Sequence, residues 1–150
     1  MAIIWFTGQP GSGKTTLAKR LLVLSDPNTF HIDGDDLRQL FNNKDYTSVG
    51  RELNIRLAQQ ISEYLYTQKK HVIVSLVSPY REQREEFKKK IGGQFLEIWT
   101  HTTEPRSKKH FHVKEYEEPT TNYLDLDTGK FTPDECIEII LSELKSRNIL

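Results

Sequence analysis

Apolar residues along this chain come in short runs separated by longer amphipathic stretches. AIIWFT (2–7) is an unbroken apolar run, the pattern of a strand covered on both faces. KTTLAKRLLVL (14–24) has helical character, and TFHI (29–32) is a second short strand. Over 48–68, Leu53, Leu57, Ile61 and Leu65 recur at every fourth position, which predicts a long helix with that stripe facing the core. HVIVSLV (71–77), β-branched and apolar, predicts a third strand. SPYREQREEFKKKI (78–91) predicts a helix capped by Ser78, with Pro79 at its first position. Its surface is mostly charged, so one narrow stripe packs and the KKK end (88–90) is solvated near the negative helix pole. FLEIWT (95–100) and NYLDL (122–126) supply two further strands. TPDE (132–135) reads as a capping box opening a last helix whose core face is Ile137, Ile140, Leu141 and Leu144.

Strand and helix alternating in this order predict an α/β fold: a five-stranded parallel sheet with helices on both faces, three layers in all. The length suits one domain over 1–150. Residues 102–121 stand apart. They are polar and weakly periodic, and a loop of that length inside a compact domain is usually functional or mobile.

Charge changes the picture by exclusion. Lys+Arg and Asp+Glu are both 21, so no net field steers a polyanion or holds the chain at a membrane surface. Neither nucleic acid nor membrane is an expected partner. Cys136 is the single cysteine, which excludes an internal disulfide and fits a reducing compartment. Its apolar neighbours make it a buried structural thiol. AIIWF is too short for a signal h-region or a membrane span, so the expected location is the cytoplasm.

The candidate chemistry begins between the first strand and the first helix. GQPGSGKT (8–15) matches G-x-x-x-x-G-K-[ST] in the required strand–loop–helix context. Backbone N–H groups of such a loop turn inward around phosphate, and the following helix adds its positive end. Gly8, Gln9, Pro10, Gly11, Ser12, Gly13, Lys14, Thr15 and Thr16 are therefore candidate ATP-binding residues. Lys14 would reach the β- and γ-phosphates, and the Thr15 hydroxyl is a candidate Mg²⁺ ligand. A regulatory GTPase fits poorly. Ser75 stands where its strand aspartate would be, and NNKD (42–45) has the guanine-reading letters in the wrong spacing.

HIDGDDLR (31–38) sets three carboxylates within four positions. Two such charges ~4 Å apart repel by about 4 kcal/mol at an effective dielectric of 20. On its own, DGDD would be a turn and a helix cap. Behind a phosphate loop, at the carboxyl end of a strand where a doubly wound sheet binds ligands, it reads as catalytic. Asp33 would hold Mg²⁺, Asp35 would orient the attacking hydroxyl and accept its proton, and Asp36 would begin the next helix. His110 and His112 flank Phe111 without a Cys or third His nearby, so they read as exposed loop histidines rather than a zinc site.

GQPGSGKTTLA, HIDGDDLR, GRELNIR and SLVSPYREQR, in this order, closely resemble adenylylsulfate kinase (APS kinase), a family of P-loop kinases. The likeness covers roughly residues 2–101 and resumes at YEEP, LDLDT and TPDECIEII. It implies a P-loop kinase fold, and transfer of the γ-phosphate of ATP, with Mg²⁺, to the 3′-hydroxyl of adenosine 5′-phosphosulfate (APS), giving PAPS. ATP and APS are the implied partners, together with a second copy of the chain as a homodimer. Carried over by residue, Arg38, Arg51 and Asn54 match the family's acceptor-side positions. Arg51 and Asn54 share one face of the 48–68 helix, off the leucine stripe. Tyr46 matches a phenylalanine that could cover the adenine, Phe111 matches a stacking lid phenylalanine, and Val77 and Ser78 line the same pocket. Ser78 is read as a binding or capping residue, with direct in-line transfer preferred to a covalent carrier.

The chain also departs from the family pattern. The lid is about a dozen residues short. Lys108 and Lys109 would keep some of its charge, and Arg106 could match its first arginine. Gly50 replaces an aspartate, and Leu53 replaces a glutamate. Two other readings therefore stay open: a related P-loop kinase acting on another small-molecule or nucleic-acid hydroxyl, and a non-catalytic nucleotide-binding module. The second carboxylate of DGDD argues against the module, the Arg51/Asn54 pair favours APS, and zero net charge argues against a polynucleotide acceptor.

Overall fold

The structure is a computed structural model that describes residues 1–104 and 111–149. The chain runs β1 (Ile3–Thr7), α1 (Lys14–Val23), β2 (Thr29–Asp33), α2 (Gly34–Leu40), α3 (Ser48–Thr67), β3 (His71–Ser75), α4 (Arg81–Ile91), β4 (Phe95–His101), β5 (Leu124–Asp127) and α5 (Pro133–Ser146). The strands form one parallel sheet in the order β2-β3-β1-β4-β5.

β1 is central, and all five of its residues are buried, which is why it reads as an unbroken apolar run. Alternate side chains feed opposite layers. Ile4 and Phe6 pack with Leu17 and Leu21 of α1 and Ile140 of α5. Ile3 and Trp5 pack with Ile55 of α3 and Phe87 of α4. Thr132 caps α5 through the Glu135 N–H, and the Glu135 side chain returns to the Thr132 N–H, as the sequence predicts. Cys136 is buried in that layer, whereas Leu141 is 43% exposed and does not join it. No helix among the described residues is long and apolar enough to cross a membrane.

The core stripe of the long helix is shifted from the one its leucines mark: Ile61 and Leu65 pack partly buried against the core, but the fully buried positions are others. Gly50, Asn54, Ile55, Ala58 and Ser62 are buried, while Leu53 is 52% exposed. Small side chains let α3 lie close to its neighbours: a Cβ on Gly50 would fall 2.1 Å from the Asp45 carbonyl oxygen. The family's aspartate has no room there.

α4 begins at Arg81, with Tyr80 rather than Ser78 at the cap. Ser78 has φ 47°, in the left-handed region, which cannot open a helix. Lys88 is not solvated. It is buried, and its Nζ lies 2.6 Å from Glu97 Oε1, while Arg84 Nε lies 2.9 Å from Glu97 Oε2. This buried triad also holds the end of the 102–121 segment. Arg84 donates to the carbonyls of Ser78 and Glu117, and Lys88 to those of Thr121 and Asn122. Glu97→Gln leaves buried Arg84 without its carboxylate and Lys88 with only the partly exposed Glu85 at 2.8 Å, so unfolding free energy should fall by about 3–5 kcal/mol, read from the urea midpoint. A loss below ~1 kcal/mol would show that the triad is not a structural keystone.

Candidate active site

Three strand ends meet at one edge of the sheet. β1 ends at Thr7, β2 at Asp33 and β3 at Ser75, with Asp33 and Ser75 directly paired in register. This parallel register brings the glycine loop, the acidic run and SLVSP together. Gly13, at φ 99°, is the N-cap of α1, a conformation that favours glycine. It turns the chain so that the first N–H groups of α1 face the cleft. Lys14 is buried, and its Nζ donates to the carbonyls of Gly8 (2.9 Å) and Gln9 (2.8 Å).

The acidic run separates into three roles. Asp33 caps α2, its Oδ2 accepting the Asp35 N–H at 3.2 Å. Its Oδ1 accepts from Thr15 Oγ1 at 2.9 Å and from Ser75 Oγ at 2.8 Å. The Asp35 side chain is exposed in the first turn of α2, beside the helix's positive end and on the cleft wall. Asp36 is also in that turn, on the exposed surface. Hydrogen bonds and helix polarity thus offset the repulsion that the sequence alone presents. Behind Asp33, His31 Nε2 lies 2.7 Å from Ser75 Oγ. Ser75 gives its one proton to Asp33, so His31 is the donor to Ser75. Burial holds the His31 pKa below its ordinary value, against the opposing pull of Asp33 and Asp36. The Thr15 hydroxyl and Asp33 carboxylate form a hard oxygen donor pair, which fits Mg²⁺.

A cleft of about 880 Å³ joins these groups to the acceptor-side residues. Pro10, Gly11, Gly13, Lys14, Thr15 and Thr16 line it together with Asp33 and Asp35. Arg38, Tyr46, Arg51, Asn54, Val77, Ser78 and Phe111 line the same cleft. Gly8, Gln9 and Ser12 do not line it. Gly8 lies against Thr100, whose carbonyl oxygen would be 2.3 Å from a Cβ there. Ser12 Oγ is 2.8 Å from Thr100 Oγ1, and the Gln9 side chain is directed at Val113. These three residues shape the loop rather than line the cleft.

The acceptor-side residues are individually constrained. Arg38 donates to Asn43 and to the Asp45 carbonyl, and its guanidinium lies 4.0 Å from the Tyr46 ring centroid. Arg51 pairs with Glu115 at 2.5 Å. Asn54 is buried. Its Nδ2 donates to the Gly34 carbonyl at 3.3 Å, and its Oδ1 has no partner among the described residues. The Ser78 hydroxyl accepts from Trp5 Nε1 at 2.9 Å and is 1% exposed, so neither capping nor an available nucleophile fits it. Phe111 is 63% exposed beside the cleft, and His112 is exposed. Arg106, Lys108, Lys109 and His110 lie outside the described residues.

The sequence reading missed four contributors. Ser75 was visible only as a missing aspartate, His31 not at all. Glu115 and Tyr116 lie in the stretch that lacks periodicity. The Tyr116 hydroxyl is 2.8 Å from Thr7 Oγ1, and burial pushes its pKa up to about 12.

Similarity to known proteins agrees with this arrangement. The adenylylsulphate kinase family model matches residues 1–126. The adenylyl-sulfate kinase of Prochlorococcus marinus is 33% identical over 99% of this chain and 85% of its own length. A probable adenylyl-sulfate kinase of Pyrococcus abyssi is 31% identical over 98% of this chain and 97% of its own. The solved Mycobacterium tuberculosis APS kinase CysC, in complex with AMPPNP and APS, is 24% identical, covers 96% of this chain and 97% of that one, and has a TM-score of 0.78, a likeness of fold. Glycine loop, paired aspartates and Arg51/Asn54 helix meet in one cleft, and the family match spans most of the sequence: the chain belongs to the adenylylsulphate kinase family.

Proposed function

We propose that this chain transfers the γ-phosphate of ATP to the 3′-hydroxyl of adenosine 5′-phosphosulfate, giving PAPS and ADP. The observation that carries this reading is the single cleft in which the phosphate loop and Asp35 face Arg38, Tyr46, Arg51 and Asn54. Residues 1–150 act as one catalytic unit, with 102–121 as its lid.

The loop N–H groups and the start of α1 hold the β- and γ-phosphates, and Lys14 turns from the loop carbonyls to the phosphate oxygens. Thr15 and Asp33 hold Mg²⁺, which supplies charge neutralisation on the phosphates. His31 and Ser75 keep Asp33 aimed at Thr15 from behind. Asp35 accepts a hydrogen bond from the acceptor hydroxyl, orients it in line with the γ-phosphorus and receives its proton. The new O–P bond forms as the β–γ bridge bond breaks, and ADP leaves. Because the Ser78 hydroxyl is engaged with Trp5, transfer is direct.

On the acceptor side, planar guanidinium groups suit the oxyanions of a phosphosulfate, a role for Arg51 with Arg38. Tyr46 and Phe111 flank the adenine. The unpartnered Asn54 Oδ1 is available to a donor on the acceptor. Arg51→Ala should weaken APS binding and leave ATP binding nearly unchanged, since truncating one partner of a desolvated charged contact costs ~2–5 kcal/mol. Calorimetric titration of APS into wild type and Arg51→Ala, each loaded with Mg·ADP, checks this. Equal affinities would remove Arg51 from the site, and no APS binding by wild type would turn the reading to another acceptor.

A further inference from the structure

Gln9 lies in the phosphate loop, yet its side chain does not line the cleft. Its Nε2 donates to the Val113 carbonyl at 2.8 Å, and its Oε1 accepts the Val113 N–H at 2.8 Å. One side-chain amide thereby satisfies both main-chain polar groups of one residue, as a neighbouring strand would. Val113 is 6% exposed and lines the cleft, as does Phe111 two residues earlier. Through its own carbonyl, Gln9 also accepts from Lys14 Nζ at 2.8 Å. One residue is therefore bonded to the phosphate-side lysine and to the backbone of the lid segment carrying Phe111. Other ties hold the lid further along: Tyr116 meets Thr7, Arg84 meets Glu117, and Arg81 donates to the Glu118 carbonyl.

We propose that Gln9 is a positioning residue for the acceptor rather than a ligand of ATP. Acting through Val113, it fixes the lid wall against which the acceptor's base rests, and it joins that wall to the phosphate loop. This rests on the APS reading above. Without the amide, the Val113 N–H loses its partner and the carbonyl keeps only the longer bond from the Tyr116 N–H at 3.4 Å. The wall around Phe111 then samples positions that do not fit the acceptor. The phosphate-binding N–H groups belong to the loop backbone, so nucleotide affinity is retained.

Gln9→Met keeps the length of the side chain and removes both hydrogen bonds, and Gln9→Leu is a second apolar replacement should the first fold poorly. Steady-state kinetics with Mg·ATP and APS should show the KM for APS raised about tenfold or more, and the KM for ATP within about twofold of wild type. Hydrogen exchange followed by mass spectrometry should show faster exchange in the peptide containing Val113, and an unchanged rate in β1. An equal rise in both KM values, a rise for ATP alone, or unchanged Val113 exchange in a folded variant would overturn the assignment. If the wild type itself neither binds nor phosphorylates APS, the acceptor reading fails and the positioning role fails with it. A KM shift of the wrong kind in an APS-active protein overturns the role of Gln9 alone.

Discussion

Lys14→Ala is expected to abolish phosphoryl transfer, lowering kcat/KM by ~10³-fold or more, while the protein still folds. The side chain belongs to neither apolar cluster: its Nζ serves the Gly8 and Gln9 carbonyls at the mouth of α1, where the proposed reaction would place phosphate oxygens. Circular dichroism and thermal melting close to wild type would show that the loss is chemical. Robust turnover by a folded Lys14→Ala protein would contradict the role given to the glycine loop.

Asp35→Asn should lower kcat by about 10²–10⁴-fold, with much less effect on the KM for ATP. The structure makes this substitution unusually clean. The fold uses the Asp35 main-chain N–H, which caps α2 by donating to Asp33, and asparagine retains it. Only the carboxylate that would receive the proton is lost. Asp33→Asn, by contrast, disturbs the contacts with Thr15 and Ser75 as well as the proposed metal site. A rate within a few-fold of wild type would return Asp35 to the status of a turn residue.

The order and type of the elements could be read from apolar periodicity because the sheet is parallel and covered on both faces. Each inner strand is then a largely apolar run, and the ends of β1, β2 and β3 are announced by Gly, Asp and Ser-Pro. The phosphate loop and paired aspartates were legible for the same reason: both sit where a strand stops. What sequence did not reveal depends on pairings between distant elements. The stripe of α3 was read correctly at Ile61 and Leu65 but not at Leu53, because leucines advertise burial more loudly than Gly50, Ala58 and Ser62, whose small size is what lets the helix approach. Arg84 and Lys88 looked solvated because their partner, Glu97, is on β4. The one legible hint was a glutamate inside the apolar run FLEIWT. Gln9 looked like an arbitrary member of a glycine loop because its partner is a main-chain group in the lid, and a main-chain group leaves no trace in the sequence.

The acceptor itself is the point on which the functional reading turns. The protein should be incubated with γ-labelled ATP, Mg²⁺ and APS, and the labelled product located by chromatography and phosphorus NMR. The label should appear on the 3′-oxygen of APS, as PAPS, with one ADP formed per molecule of product. ADP formation without a 3′-phosphorylated product, or transfer to a sugar acid, nucleoside or 5′-hydroxyl oligonucleotide in preference to APS, would contradict it.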